Sequence, residues 1–384
     1  MSDATAALDL ARVLISRPSV TPQDAGAMDV LQAALEPLGF RCRRMRFGEV
    51  ENLYARWGSK GPNLCYAGHT DVVPPGDEAA WTHPPFEAVV SDGVLHGRGS
   101  ADMKSGIAAF VAAAAAATRR GDVTGSVSLL ITGDEEGVAV DGTKRVVRTL
   151  EAEGERIDHC IVGEPSSVHA VGDVIKVGRR GSLNAWITVE GRQGHVAYPE
   201  RAANPIPVLV RLLGRLQSRT LDTGWPSFPP SNLELTTVDV GNAAMNVIPA
   251  SAEGRLNIRF NPAHTGESLI GWLQEEVREA EAASGLTIRL RTLHSGDAFL
   301  TEPGPFVDLV LDTVEQTLGR RPEPSTSGGT SDARFIRALC PVVELGLVGT
   351  TIHQVDERVP VSEIEELQRV YERLIARYFE RFAQ

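Results

Sequence analysis

The sequence predicts an α/β protein: helices layered on a largely parallel or mixed sheet, interrupted by a smaller α+β insert. Three observations lead there. Short apolar runs of buried-strand type alternate with helical patterns up to about residue 180. The texture then changes to alternating strands and amphipathic helices, and returns to α/β near residue 305. The chain has 384 residues, 42% hydrophobic and 23% charged, which suits two domains or one large one with a sizeable core and argues against global disorder. The expected organisation is a main domain of residues 1–180 and 293–384, with an insert at 181–292.

Residues 4–15 read as an amphipathic helix carrying Leu8, Val13 and Leu14, and residues 27–38 as another that ends at Gly39. The apolar run 63–67 stops at Gly68-His69-Thr70-Asp71. Residues 74–97 are rich in Pro, Gly and Asp and read as a loop and hairpin. The turn Gly97-Arg98-Gly99-Ser100-Ala101-Asp102 leads into residues 104–118, whose alanines give strong helix propensity. Residues 126–132 read as a buried strand followed by Gly133-Asp134-Glu135-Glu136-Gly137. A helix near 143–153 precedes a second buried strand, 159–162, which runs into Gly163-Glu164-Pro165. In the insert, 183–189 alternates as a half-buried strand, followed by a helix at 205–218, strands at 232–240 and 252–260, a helix at 266–283 and a strand at 286–290. This β-α-β-β-α-β block can close as a small sheet with two helices on one face. A helix at 305–318 resumes the α/β texture.

Asp and Glu number 50 against 38 Lys and Arg, a formal charge of -12. That surplus argues against wrapping nucleic acid or coating an anionic membrane, but allows an acidic substrate held by a few local arginines. Cys42, Cys65, Cys160 and Cys340 form no C-x-x-C pair, so no zinc knuckle or redox dithiol is indicated, and their scarcity suits a reducing compartment. The N-terminal stretch lacks the basic start and long apolar run of a signal peptide. The most apolar run, 107–117, falls short of the roughly 20 residues that cross a bilayer. A soluble, cytoplasmic protein is expected.

Acids and histidines collect where the strands end, the edge at which open α/β sheets bind ligands. One strand end offers His69 and Asp71, another Glu135 and Glu136, a third Glu164; Asp102 adds a carboxylate before the alanine helix, and His353 follows the apolar run 342–348. Each alone has an ordinary reading as a loop cap, a helix cap, a solvated acid, a turn residue or a satisfied imidazole. Together the carboxylates would repel one another at one sheet edge unless cations neutralise them. Two imidazoles, three carboxylates and no thiolate suit zinc, cobalt or manganese, and one carboxylate could bridge two ions about 3.5–4 Å apart. Of the adjacent glutamates, one would face metal and the other act as general base, while Asp71 is placed to hold the second nitrogen of His69.

The stretches YAGHTDVVPPGD, GVLHGRGSADMKSG, LLITGDEEG, IVGEPSS and TTIHQVDE resemble those of the co-catalytic di-zinc metallopeptidases and deacylases, a family that includes acetylornithine deacetylase and carboxypeptidase G2-type enzymes. GEPSS, KVGRRGSL, GHVAYPE, AMNVIPA and SGGTSDARF are most similar to its desuccinylase branch, which hydrolyses N-succinyl-LL-2,6-diaminopimelate. The resemblance implies a mixed-sheet α/β di-zinc hydrolase domain carrying an inserted ferredoxin-like α+β sandwich that dimerises. It implies two zinc ions bridged by Asp102, one completed by His69 and Glu164 and the other by Glu136 and His353, with Glu135 as base and proton donor. It also implies a cis peptide between Asp102 and Met103, and a His195 that reaches the partner subunit's site to stabilise the oxyanion.

A succinylated amino-diacid is a small molecule with several carboxylates, which bidentate guanidinium groups fit. Arg179, Arg180 and Arg259 are candidates to bind it, with Lys176, Ser182, Tyr198, Asn246 and Thr330 as partners; structural ion pairing or cover of apolar surface is the plainer reading of the arginines. Gly328-Gly329-Thr330 reads equally as a backbone nest for a carboxylate or as a flexible turn fixed by Asp332. Asp356 stands where several desuccinylases have Asn, but Asp also occurs there in related deacylases and peptidases, so the position does not choose between a succinyl substrate and those of an acetylornithine deacetylase or a dipeptidase.

Overall fold

The computed structural model describes residues 3–383; Met1 and Ser2, which open the stretch read above for a leader, and Gln384 lie outside them. The chain divides into two compact units. One comprises the residues up to Val177, Thr301–Ser325 and the residues from Ser331 onward; the other comprises Gly178–Leu300 and Thr326–Thr330. The stretch 181–292 lies inside the second unit, which also takes in the segments flanking it.

The first unit is built on an eight-stranded mixed sheet. Its strand order is Arg41–Phe47, Val50–Trp57, Ser126–Thr132, Asn63–His69, His159–Val162, Val342–Glu344, Val174–Lys176, Glu323–Ser325. The centre is parallel: Asn63–His69 runs parallel to both Ser126–Thr132 and His159–Val162, and Val342–Glu344 runs parallel to His159–Val162. Asn63–His69 and Ser126–Thr132 bury every residue, as central strands covered on both faces must. Their polar members are paired inside the sheet: Ser128 Oγ donates to Asn63 Oδ1 at 2.9 Å, and Thr132 Oγ1 to Asn52 Oδ1 at 2.8 Å.

The alanine helix, Ser105–Arg120, buries its first thirteen residues, Ser105 to Ala117. Small side chains let it pack closely against helices Asp3–Ile15 and Val361–Phe382. Its Phe110 stacks on Tyr66 with centroids 4.3 Å apart, and Tyr371 meets the two rings edge-on at 5.5 and 5.7 Å. Gly163 is required here: a Cβ would fall 1.8 Å from Tyr66 Oη.

Two large elements were not expected. The hairpin Arg41–Phe47/Val50–Trp57 begins with a strand whose only buried residue is Met45, because it is a sheet edge clothed in arginines. The C-terminal helix Val361–Phe382 carries Ile364, Leu367, Tyr371, Leu374, Ile375 and Tyr378 on its buried face, a helical spacing that was open to reading.

The second unit has one four-stranded antiparallel sheet, ordered Asn232–Asp239, Ser251–Phe260, Gly181–Glu190, Ile288–Gly296. With helices Ile206–Ser218 and Gly266–Ser284 it forms a ferredoxin-like β-α-β-β-α-β sandwich. Leu183, Ala185, Ile187 and Val189 alternate inward and pack with Leu209, Leu212, Leu213 and Leu216 of one helix and Leu269, Leu273 and Val277 of the other. The strand expected at 286–290 starts at Ile288 and continues to Gly296. It is an edge strand, so apolar alternation fades past Leu290 while the hydrogen-bonded ladder continues to Ser182.

Among the described residues, no helix is long and apolar enough to cross a membrane.

His159 opens the strand His159–Val162, stacks on Phe306 at 4.5 Å and shares a 3.0 Å hydrogen bond between Nδ1 and Tyr378 Oη. Burial lowers its pKa from 6.5 to about 4. As pH falls from 6.5 toward 4, the unfolded chain binds a proton that the folded chain refuses, so stability is lost through this window. Chemical denaturation at pH 7 and pH 5 should therefore show His159→Phe losing less stability than the wild type over the same step.

Candidate metal centre

Three neighbouring parallel strands end at one edge of the sheet, and each delivers an acid or an imidazole. Asn63–His69 finishes on His69, opposite Thr132. Glu135 and Glu136 follow just after Thr132, and Glu164 follows just after Val162. Asp102 arrives in the Ser100–Lys104 turn with φ and ψ of -125° and 95°; Lys104, not Asp102, occupies the cap position of the helix Ser105–Arg120, and the peptide to Met103 is cis. His353 sits on the turn beyond Val342–Glu344 with a φ of 61°.

These side chains form a cluster with two poles about Asp102. Asp102 Oδ1 lies 3.1 Å from His69 Nε2, which is 3.7 Å from Glu164 Oε1. Asp102 Oδ2 lies 3.4 Å from His353 Nε2, which is 2.9 Å from Glu136 Oε1. Possible ligand atoms of His69, Asp102 and Glu136 all fall within 4.8 Å of one another, and so do those of His69, Glu135 and Glu164.

The donor chemistry fits a cation at each pole. His69 Nδ1 is 2.9 Å from the main-chain oxygen of Asp71. A carbonyl oxygen only accepts, so Nδ1 carries the hydrogen and the lone pair of Nε2 faces the oxygens of Asp102 and Glu164. Something positive must sit between them, a proton or a metal ion. Burial opposes a charged His69, but the bond to Asp102 and the charges of Asp102, Glu164 and Asp71 prevail and hold its pKa well above the ordinary value. His353 is raised to about 10 by its bonds to Asp102 and Glu136. Burial pushes the Asp102 carboxyl up, yet its bonds with His353 and His69 outweigh this and hold it below the ordinary value. Burial first, and then the charge of Glu164, lifts Glu135 well above its usual range. A divalent ion would take the place of the proton at each pole and leave the imidazoles neutral.

Asp71 does hold the second nitrogen of His69, but through its main chain. Its carboxylate is 3.7 Å from His69 Nδ1, and it is the main-chain oxygen that holds the ring. The carboxylate instead accepts the backbone N–H groups of Glu135 at 3.2 Å and Glu136 at 3.0 Å, which orients the acidic turn. Burial lifts its pKa to about 6. Asp134, which the sequence reading passed over, takes the N–H groups of Ala139, Val140 and Asp141 at 3.1, 2.9 and 3.0 Å and closes the loop behind the two glutamates. Its position beside Glu135 was the only signal. Asp356 accepts the N–H and hydroxyl of Thr82 at 2.7 and 2.8 Å, a contact between loops.

Lys176 is buried in the first unit opposite Glu344, with Nζ 3.5 Å from Ser325 Oγ. The remaining substrate candidates belong to the second unit and fall into two groups. At the Gly181 end of strand Gly181–Glu190, Arg180 Nη1 donates to Asn232 Oδ1 at 2.8 Å, and Ser182 lies opposite Arg259. There too, buried Arg179 donates from Nη1 to the carbonyls of Ser327 and Gly329, both at 3.2 Å, in the turn that leads to Thr330. Gly328, with φ at 101°, leaves room for that guanidinium: a Cβ would fall 2.4 Å from it. The turn thus shows carbonyls to Arg179 and is held by it. At the Glu190 end, Gly194–His195 pairs with Val247–Ile248, and Asn246 accepts the N–H of Val196 at 3.1 Å. Tyr198 lies beside His195 with ring centroids 5.7 Å apart. The Ala197 N–H binds His195 Nδ1 at 3.1 Å, which leaves the other ring nitrogen facing outward on an exposed residue.

The chain belongs to peptidase family M20/M25/M40, whose sequence profile matches residues 65–377. The M20 family consists of metallopeptidases, and the groups around His69 are able to hold metal. More particularly, the chain is 66% identical over 376 residues to a succinyl-diaminopimelate desuccinylase of Caulobacter sp. (strain K31), covering 97% of this chain and 96% of that one. It is 65% identical over 379 residues to a succinyl-diaminopimelate desuccinylase of Phenylobacterium zucineum (strain HLK1), covering 99% and 100%. Its fold matches an M20 family metallo-carboxypeptidase from Sulfolobus solfataricus with a TM-score of 0.81 at 15% identity, covering 97% and 99% of the two chains.

Asp71→Asn sets an amide NH2 against one of the two backbone N–H groups that the carboxylate accepts. The variant is expected to fold, by circular dichroism, and to lose about 10–100-fold in turnover.

Proposed function

We propose that the chain hydrolyses N-succinyl-LL-2,6-diaminopimelate to succinate and LL-2,6-diaminopimelate, a step in lysine and meso-diaminopimelate synthesis. The observation that carries the reading is Asp102, whose two oxygens face two histidine–glutamate pairs, His69 with Glu164 and His353 with Glu136. The substrate assignment draws on relatives of that name at 65–66% identity over nearly the whole chain.

In this reading His69, Glu164 and Asp102 would hold one zinc ion, and Glu136, His353 and Asp102 the other, with cobalt or manganese able to substitute. Bound there, the ions would polarise the scissile amide and acidify the attacking water. Glu135 takes the proton of that water and returns it to the leaving amine. Its raised proton affinity, caused by burial and by Glu164, suits a group that keeps the proton between two steps. Asp71 holds the backbone of Glu135 and Glu136 in place, so that one carboxylate serves the metal and its neighbour the water. A panel of succinyl-, acetyl- and dipeptidyl-substrates with zinc supplied tests the assignment. The succinyl-diaminopimelate should be turned over with the highest kcat/KM; a clear preference for acetylornithine or a dipeptide would overturn it.

The protein is proposed to act as a homodimer in the cytoplasm. Its four cysteines, all free, suit a reducing compartment. Support for a second copy comes from within the second unit. The Arg180–Ser182–Arg259 group and the His195–Tyr198–Asn246 group lie at opposite ends of the ten-residue strand Gly181–Glu190, which spans about 30 Å at the usual rise per residue. A substrate of this size cannot reach both groups of one copy, so His195 serves the partner's site, where it stabilises the oxyanion. Mixing the His195→Ala and Glu135→Gln proteins tests this. Each alone should be nearly inactive, whereas random exchange into mixed dimers should restore about one quarter of wild-type turnover. No recovery after proven exchange would place His195 in its own subunit's site.

A further inference from the structure

We infer that Glu357, acting with Arg98, is a positioning residue that couples the Asp102 turn to the His353 turn and thereby sets the spacing of the pole formed by His353 and Glu136. The inference rests on the two-metal reading above. Neither residue carries any role in that reading, yet Arg98 is the largest fully buried side chain among the described residues, and Glu357 is 0% exposed.

The Glu357 carboxylate is saturated by the turn that ends in Asp102. Its Oε1 accepts the N–H groups of Ala101 at 2.9 Å and Asp102 at 3.1 Å. Its Oε2 accepts the N–H of Gly99 at 3.1 Å and Arg98 Nη1 at 2.7 Å. The main-chain oxygen of Glu357 takes the Gly97 N–H as well, at 2.9 Å. Arg98 extends the grip to the other segments: Nη1 donates to Gln354 O at 3.2 Å, Nη2 to Pro74 O at 3.4 Å, and the guanidinium lies 5.2 Å from the centre of the Trp81 ring.

The other end of the coupling is equally short. Glu357 stands four residues after His353 in a loop with positive φ at His353, 61°, and Asp356, 59°. The loop base is closed by Thr351 Oγ1, which donates to Arg358 O at 3.0 Å and accepts the Arg358 N–H at 3.2 Å. Any movement of Glu357 therefore acts on Asp102 through its own N–H and on His353 through four residues of constrained chain. The other pole meets this coupling only through Asp102: His69 and Glu164 leave adjacent central strands of the sheet. A buried ion pair is a poor source of stability compared with apolar packing. Its presence here is accounted for by the geometry it imposes.

Glu357→Gln replaces one accepting oxygen with an NH2 group and sets donor against donor. Metal-depleted protein is titrated with zinc against a competing chelator, with His353→Ala identifying the equivalent that belongs to the His353 pole. Wild type should bind two equivalents. Glu357→Gln should weaken the equivalent that His353→Ala removes by about 10–100-fold and the other, which it touches only through Asp102, by several-fold less. If Glu357→Gln does not fold, Arg98→Lys, which keeps the charge but loses the fork to Gln354 and Pro74, should show the same selective weakening. Unchanged affinities, or an equal weakening of both equivalents alongside a lower Tm, would overturn the inference and leave a merely structural ion pair. Failure of the wild type to bind two equivalents would instead overturn the two-metal reading on which it stands.

Discussion

Asp102 has to offer one carboxylate oxygen to each of two imidazoles, and much of the first unit is arranged around that requirement. Its oxygens meet His69 at 3.1 Å and His353 at 3.4 Å. With Glu135, Glu136 and Glu164 close by, the site gathers partly buried acids that repel one another. The raised proton affinities of His69, His353 and Glu135 express that one fact from three directions. Positive charge has to enter the cluster, and divalent metal supplies it most compactly.

Holding such a cluster takes rigid supports, and the chain uses the same one repeatedly. A buried carboxylate outside the two poles around Asp102 accepts several backbone N–H groups from a loop at the site. Asp71 does so for Glu135 and Glu136, Asp134 for the loop behind them, and Glu357 for the turn carrying Asp102. Backbone amides have fixed directions, so each bond restrains a peptide plane as well as a distance, and charge-assisted bonds are stronger than neutral ones. The central strands supply the rest of the rigidity, because His69 ends one of them and Glu164 lies two residues past another.

The second unit works differently. Its four-stranded sheet is covered by two helices on one face. The proposed substrate residues lie apart along the length of one strand, with Arg180, Ser182 and Arg259 at one end and His195 at the other. Under the proposed reading, pairing with another copy would bring the two groups to one substrate.

Much of this was legible in the sequence. The buried strands 126–132 and 159–162, the alanine helix and the β-α-β-β-α-β block all announce themselves through local periodicity, which needs only neighbours along the chain. The candidate ligands were legible because the ends of parallel strands converge by construction, so His69, Glu135, Glu136 and Glu164 had to share an edge once the strands were recognised. Other features depended on partners far away in the sequence. The edge strand Arg41–Phe47 reads as a run of charge until Val50–Trp57 pairs with it. Asp71 looked like a support for the nearby His69, but its carboxylate binds amides more than 60 residues away. Glu357 gave no sign at all, since the amides that saturate it lie more than 250 residues earlier. Local pattern determined the elements and the kinds of side chain at their ends. Only the tertiary structure decided which buried acid faces a metal site and which holds the backbone, because that depends on which N–H groups the fold leaves pointing at it.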